Sequence, residues 1–415
     1  MRTVLMCVAL HAALPALAGE AAGAAYPALL PPPHLVGQLL ERQPQVTAAQ
    51  AGISVEQANS RRLAAGPYEW SVRASAQRRN ESSGPRYREN EVALERPLRW
   101  MGKADKDAEL GRQGVSMSEA GLADAWHEAA RTLLRRWFEW VREAQAAQRL
   151  QQHAAILGQQ ADIVRKRVAA GDAPRMEMML ADTEHNRTEA AWLQAAQRRD
   201  LLAAGLRVSY PGLEPALPSG LPEPALPPGD AVLWRQKILE DNHEIALAEA
   251  EAALGKATAE RAALDRTPDP TVGLRYAQER DRQERLFSVT VSIPIPGQAR
   301  QEQLLASLGR ADVARENARA VRLKVEADAL SAALRADGAQ ALWRRLAEVG
   351  RQSAGNAALV ARAYELGESP LAETLLARRQ ALEALSAAEQ AQIDALEAQA
   401  RLLLDMHAIW SLHAN

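Results

Sequence analysis

The 415-residue chain has one cysteine, Cys7, and no CxxC pair. An intrachain disulfide framework and a cysteine-based zinc site are therefore disfavoured. Aromatic residues are only 4% of the sequence, with two Phe, which argues against an all-β globule or a large single-chain barrel with aromatic girdles. Charge of neither sign prevails: charged residues are 25%, hydrophobic residues 47%, and the formal net charge is −2. Disorder and nucleic-acid binding are disfavoured on those figures, even with the pairs Arg135-Arg136 and Arg344-Arg345. After the N-terminal run, no segment offers the ~18–20 uncharged residues of a spanning helix. Nucleophile elbow, phosphate loop and HExxH are all missing, so Glu139 with Glu143, and Asp182 with Glu184, read as solvated helix faces. No catalytic residue and no cofactor is expected. What abounds is alanine, leucine, glutamine, glutamate and arginine, the palette of long helices.

The first residues read as an address. Arg2 is followed by an apolar stretch from Thr3 to Leu14, and Ala16-Leu17-Ala18 fits a small-x-small cleavage site. Residues 1–18 are thus expected to be a signal peptide and 19–34 a linker. Beyond them the chain repeats itself. Gly171 and Pro174 recur as Gly367 and Pro370 at an offset of 196 positions, and the segment from Arg42 resembles that from Asp241 at an offset of 199. Two tandem halves of roughly 175 residues result, 35–208 and 232–412. Their seam at 209–231 carries seven prolines, which forbid a continuous helix.

Each half reads as helix, two strands, very long helix, tight turn, helix. The first helical pattern runs from Leu35 to Leu63. Strands are expected at about 68–79 and 87–97, where Trp70, Val72, Ala74 and Ala76, then Val92 and Leu94, alternate with polar residues. Their counterparts at about 271–279 and 285–295 alternate Val272, Leu274, Tyr276 and Phe287, Val289, Val291, Ile293 with Gly273, Arg275, Ser288 and Thr290. Strands of this length can cross a bilayer when tilted, but four cannot close a barrel, so partner copies must supply the rest. The alternative is a pair of soluble caps packed on a helix end. The 70 residues from Met101 to Ala170 contain no proline, and 298–366 match them. Such rods would be about 100 Å long. Heptad-like spacing falls on Leu133, Val141, Leu150, Ile156 and Ile163, with alanine-rich seams. The Gly-x-x-Pro turns at about 168–177 and 364–373 then fold each rod into an antiparallel hairpin. Trp137 and Trp140 read as packing anchors. Met176, Met178 and Met179 near His185 could form a soft metal site, but core packing is the better reading, and no metal site is assigned.

The stretches LAAGPYEWSVRASAQRR from Leu63, LERPLRWMGKAD from Leu94 and DRTPDPTVGLRY from Asp265, with tips RVAAGDAPRMEMMLADTE from Arg167 and AYELGESPLAETLLARRQA from Ala363, resemble the TolC-like outer membrane factors. The likeness is greatest to the CzcC-like branch that serves heavy-metal pumps, and it spans nearly all of the chain after Leu35. It implies a mainly α fold with a small β part. In a homotrimer the long coiled-coil helices would form an α-barrel tunnel in the periplasm. Four strands per chain would build a shared 12-stranded barrel in outer-membrane lipid of a Gram-negative bacterium, and the proline-rich seam an equatorial belt. It further implies a passive exit duct in a tripartite system, with a periplasmic adaptor of the membrane fusion class and an RND inner-membrane pump as partners. Carried onto this sequence, the gate candidates are Glu177, Tyr364 and Glu373. Ser369 stands where the family pattern has an arginine, and Leu376 where it has a second acid. Glu177 and Glu373 are equally what a helix start favours. Gly171, Asp172, Gly367, Glu368 and Ser369 are the adaptor-contact candidates, although turn chemistry alone would also select the glycines. The rival is a soluble periplasmic coiled-coil structural or adaptor protein.

Overall fold

The structure, a computed structural model, describes residues 27–412; the expected signal peptide at 1–18, with Cys7, lies outside the described residues. The first half consists of helices α1 (Pro33–Glu41) and α2 (Pro44–Ala65), strands β1 (Ser71–Asn80) and β2 (Arg86–Pro97), and helices α3 (Lys103–Ala169) and α4 (Arg175–Ser209). The second half repeats the order: α5 (Ala231–Glu240), α6 (His243–Leu264), β3 (Thr271–Glu279), β4 (Glu284–Ser292), α7 (Gln298–Glu365) and α8 (Leu371–Asp405). Paired elements match closely in length: α2 and α6 have 22 residues each, α3 and α7 have 67 and 68, and α4 and α8 have 35 each.

The expected helix 35–63 is two helices. Pro44 sits at the first turn of α2 and holds Gln43 in an extended conformation (φ −67°, ψ 134°), because the ring of a proline disfavours the α region for its predecessor. The second half breaks at the matching place with different chemistry, the Asn242 side chain accepting from Ile245 N at 3.0 Å as an N-cap. Strand β4 ends at Ser292, short of 295, since the prolines at 294 and 296 cannot donate to a ladder.

Alanine is the commonest buried residue of the rods, joined on α3 by Leu, Val and Trp. On α3 the packed face near the tip is Ala154, Leu157, Ala161 and Val164, a 3-4-3 spacing that keeps one seam against its neighbours. Ile156 and Ile163, expected on that seam, are exposed. The seam alternates alanine with Leu157 and Val164, and the two isoleucines fall one position off it. Toward the middle of the rods lies the main core, in which α1, α3, α4 and α8 meet. Trp137 and Trp140 anchor it with ring centroids 5.1 Å apart, and Trp137 Nε1 donates to Leu29 O at 2.9 Å.

The proline-rich seam lies against α7 and α8. Gln392 donates to the carbonyls of Leu221 (3.3 Å) and Pro222 (2.9 Å), Gln340 donates to Pro224 O (3.0 Å), and Gln399 accepts from Ala225 N (3.2 Å). Proline leaves such carbonyls without ladder partners, and glutamine side chains from the helices supply them.

At the end of α8, Asp405 is buried and receives His127 Nε2 (3.2 Å), Arg131 Nε (3.0 Å) and Arg401 Nε (2.7 Å). Burial raises its pKa, but the His127 hydrogen bond and the Arg401 and Arg131 charges outweigh it and bring it down to about 2. A depressed carboxyl stabilises the fold fully above its unfolded value of 3.8, and that contribution is lost as pH falls toward 2. The shift corresponds to roughly 2 kcal/mol. Asp405→Asn is therefore expected to flatten the stability profile between pH 4 and 2 in acid-denaturation curves read by circular dichroism.

Candidate functional site

Both rods end in the same turn. In the first, Gly171 (φ 80°) lets its own N–H reach Val168 O (3.0 Å) and Asp172 N reach Arg167 O (2.9 Å). In the second, Gly367 (φ 80°) does the same with Tyr364 O (3.0 Å) while Glu368 N bonds Ala363 O (2.9 Å). The left-handed conformation selects glycine at both sites, and a Cβ there would meet nothing within 4 Å. The turns are open to a partner. Asp172, Gly367 and Glu368 are exposed, and Ser369 is half-buried.

The gate candidates are not equivalent. Tyr364 is half-buried and its hydroxyl accepts from Arg167 Nη1 at 2.7 Å, the guanidinium also lying 5.8 Å from the ring centroid. Arg167 in turn donates to Asp172 Oδ2 (3.0 Å) and Asp172 O (3.2 Å). That bond to Asp172, with Tyr364 and Glu177 nearby, holds the guanidinium firmly charged. Glu177 is half-buried and its Oε2 lies out of solvent without a hydrogen-bond partner. Glu373 is exposed and accepts from Ser369 Oγ at 2.8 Å, a helix-start arrangement. The structure thus joins Tyr364 and Asp172 through Arg167, a residue the sequence reading did not single out. Its signal was faint, a basic side chain four positions before the tip glycine.

Above the tips the two hairpins are tied by ions. Glu184 is buried and takes Arg379 through both oxygens (3.1 and 2.5 Å), Arg142 pairs with Asp394 (2.9 Å) and with Glu397, and Arg149 pairs with Glu389. Glu184 is accordingly no solvated face. His185 Nδ1 lies 3.2 Å from Ala154 O. Of the methionines, Met178 packs against the tip core, whereas Met176 and Met179 are exposed rather than in the core expected for them.

At the opposite end, the four strands form one antiparallel sheet in the order β1-β2-β3-β4. Pairing places Val72, Leu94, Leu274 and Val289 in one row, and Ala74, Val92, Tyr276 and Phe287 in the next. These two rows are apolar and uncovered, Phe287 being 71% exposed and Val289 67%; further along the same face stand Asn90, Gln278 and Arg285, then Arg78 and Arg88. The other face carries Arg73, Gln77, Arg79, Glu89, Glu91, Glu95 and Arg275, cross-linked by Arg275–Glu91 (2.8 Å), Arg79–Glu89 (3.2 Å), Arg73–Glu95 (3.8 Å) and Gln77–Glu89 (2.7 Å). Strands β1 and β4 each leave an edge unpaired.

No protein-family model and no curated protein matches the sequence. Solved structures do. The chain is similar to the outer membrane protein VceC from Vibrio cholerae, at 16% identity with a TM-score of 0.73, covering 91% of this chain and 95% of that one. It is similar to the open state of the MtrE outer membrane channel from Neisseria gonorrhoeae, at 19% identity and TM-score 0.72, covering 90% and 88%. A membrane protein from Pseudomonas aeruginosa aligns at 16% identity and TM-score 0.76, covering 90% and 92%. The chain has the outer membrane channel fold.

In this channel fold the junction between strands and rods is a chain of alternating charges. Arg99 pairs with Asp107 (3.0 Å), Asp107 with Arg261 (2.5 Å), Arg261 with Asp265 (2.7 Å), Asp265 with Lys103 (3.2 Å), and Lys103 with Asp269 (3.0 Å). Lys103 is 1% exposed. Asp269 also accepts from Tyr68 Oη (2.6 Å) and Trp100 N (2.7 Å). Burial and the bond to Asp269 push the Tyr68 phenol up to about 12. Burial alone would raise Asp269, but its hydrogen bonds from Tyr68, Trp100 N and Lys103 hold it below the usual carboxylate range. Three of the five stretches that carried the resemblance, those from Leu63, Leu94 and Asp265, converge on this node.

Proposed function

We propose that the chain is the outer-membrane component of a tripartite RND-type efflux system, a passive exit duct that catalyses no bond change. The observation that carries this reading is the sheet: one bare apolar face, one face of paired charges and two free edges. An apolar face and open edges are tolerable together only if lipid covers the first and other copies pair with the second. Three copies give twelve strands, with the charged face lining water. Exposed leucines on the rods, Leu193 and Leu201 on α4 and Leu334 and Leu359 on α7, supply apolar surface for those copies. The fold likeness to outer membrane channels supports the same assignment and a place in the outer membrane of a Gram-negative bacterium. The rival, a soluble coiled-coil protein with its hairpins folded as caps, finds no support in a sheet on which Val72, Phe287 and Val289 stand about 70% exposed.

In this reading the tips Gly171, Asp172, Gly367, Glu368 and Ser369 meet the periplasmic adaptor, itself bound to the inner-membrane pump. The cargo class, heavy-metal cations, rests on the resemblance of the quoted motifs to the CzcC-like branch. At the constriction, Glu177 and Glu373 become threefold rings of carboxylates that favour cations, and the Arg167–Tyr364–Asp172 contact holds the two hairpins of each copy together. Cell fractionation of the full chain is expected to give a heat-modifiable trimer in the outer membrane; a wash-extractable soluble species would overturn the channel assignment. In planar bilayers, replacing Glu177 and Glu373 together with alanine is expected to lower cation preference, and Arg167→Ala to raise conductance several-fold. Unchanged values would remove these residues from the gate.

A further inference from the structure

Three of the eight histidines gather where the two halves of the chain meet. His127 lies within α3, His243 opens α6 and His407 follows the end of α8. The ring centroids are 4.5 Å apart for His243 and His407, 5.2 Å for His127 and His407, and 5.9 Å for His127 and His243. Among the described residues no three His, Cys, Asp or Glu side chains are grouped to hold a metal ion. The gathering needs another account.

His407 stands out within it. Its backbone is left-handed (φ 57°), at a position after a helix end where the rod tips carry Gly171 and Gly367. A non-glycine residue accepts strain there. Its Nε2 is buried without a hydrogen-bond partner, so a proton at that atom would bring a charge with nothing to receive it. The turn that it begins is docked: His407 N bonds Leu404 O (3.0 Å), Ala408 N bonds Leu403 O (2.9 Å), Trp126 Nε1 on α3 donates to Trp410 O (2.8 Å), and Ile409 and Trp410 are buried.

Charged groups face the cluster from every side. Asp124, Glu128 and Arg131 come from α3, Asp241 and Glu244 from the start of α6, Lys324 and Asp328 from α7, and Arg401 and Asp405 from the end of α8. Most are already matched: Glu128 with Arg131, Glu244 with Lys324 (2.5 Å), and Asp405 with Arg131, Arg401 and His127. Asp124 faces His127 and Arg131 and is half-buried, which raises its pKa. Asp405 is already engaged by His127, Arg131 and Arg401. An imidazolium at His407 would have only the exposed Asp241 and that shared Asp405 in its favour.

We propose that the three histidines form an acid-sensitive latch: the neutral ring of His407 holds the C-terminal turn at 406–412 against α3, and protonation of His407 releases it. Burial first, then His127 and Arg131, lower the His407 pKa below its usual 6.5 while the turn is docked. A group depressed in this way supports docking fully above the pKa of the released form, about 6.5, and loses that support as pH falls below it. Each pH unit favours the released turn by up to about tenfold, until the docked pKa is reached.

The test is hydrogen exchange on the full chain in detergent, corrected for the intrinsic pH dependence of exchange. Opening at the His407 and Ala408 amides is expected to rise, by up to about tenfold, from pH 7.5 to 5.5 in the wild type, and to stay flat in His407→Gly, which removes the ring and relieves the backbone. His407→Gln, which keeps the bulk, is expected to be flat as well and serves if the glycine variant does not fold. Equal protection at the two pH values in the wild type, or a wild-type pH response in either variant, would overturn the latch.

Discussion

Replacing Lys103 with methionine is expected to lower the stability of the fold by about 3–5 kcal/mol, the cost of stranding the largely enclosed Asp269 carboxylate when its buried partner is removed. Methionine preserves the length of the side chain and fills the same space, so the loss reports charge and not packing. Lys103 is enclosed, and it is the cation shared by Asp265 and Asp269. Without it Asp269 keeps only Tyr68 and the Trp100 amide, and Asp265 leans on Arg261. Chemical unfolding followed by circular dichroism gives the number. Adding Asp269→Asn to Lys103→Met is expected to restore part of the loss, because an amide costs less than an unpaired charge in the same site. If the double variant is as unstable as the sum of the single ones, the two residues do not act as a pair.

An arginine placed at Val289 and one placed at Ser288 are expected to part company. The two positions are adjacent on β4 and point to opposite faces of the sheet. On the face with Val72, Leu94 and Leu274, a cation at mid-strand would sit in hydrocarbon, at about 2–4 kcal/mol. On the other face it joins a surface already lined by Arg73, Arg275 and Glu91. Val289→Arg is expected to fall sharply in the outer-membrane fraction, and Ser288→Arg to accumulate near the wild-type level. A soluble cap predicts the reverse, since a charge on a bare apolar face would improve its solubility. Equal recovery of both variants would leave the sheet without a lipid side.

What could be read from residues alone was whatever depends on near neighbours. The rods announced themselves by the missing proline, the tips by a glycine that must be left-handed and a proline three positions later, and the strands by alternation. The duplication followed because those local signals recur in the same order. What escaped reading depends on contacts between distant segments. Arg167 and Tyr364 are 197 positions apart, and only the packing of one hairpin on the other makes them a pair. Glu184 reads as a solvent-facing acid until Arg379 is laid beside it. The alanine-rich seams are as the spacing implies, but Ile156 and Ile163 lie one position off the packed face, a register that only the neighbouring helices decide. At the candidate gate, Tyr364 lies in a contact between the two hairpins, and Glu373 accepts from Ser369 at its own helix start.

The near-equal rods impose a rule on how such a sequence can change. With α3 and α7 differing by a single residue and joined near their ends by the Arg167–Tyr364 contact, neither can be shortened by itself. Dropping one heptad from α3 would leave its turn about 10 Å short of the other. Insertions and deletions along these helices are therefore tolerated only as matched events in both halves, a coupled inheritance that point substitutions escape.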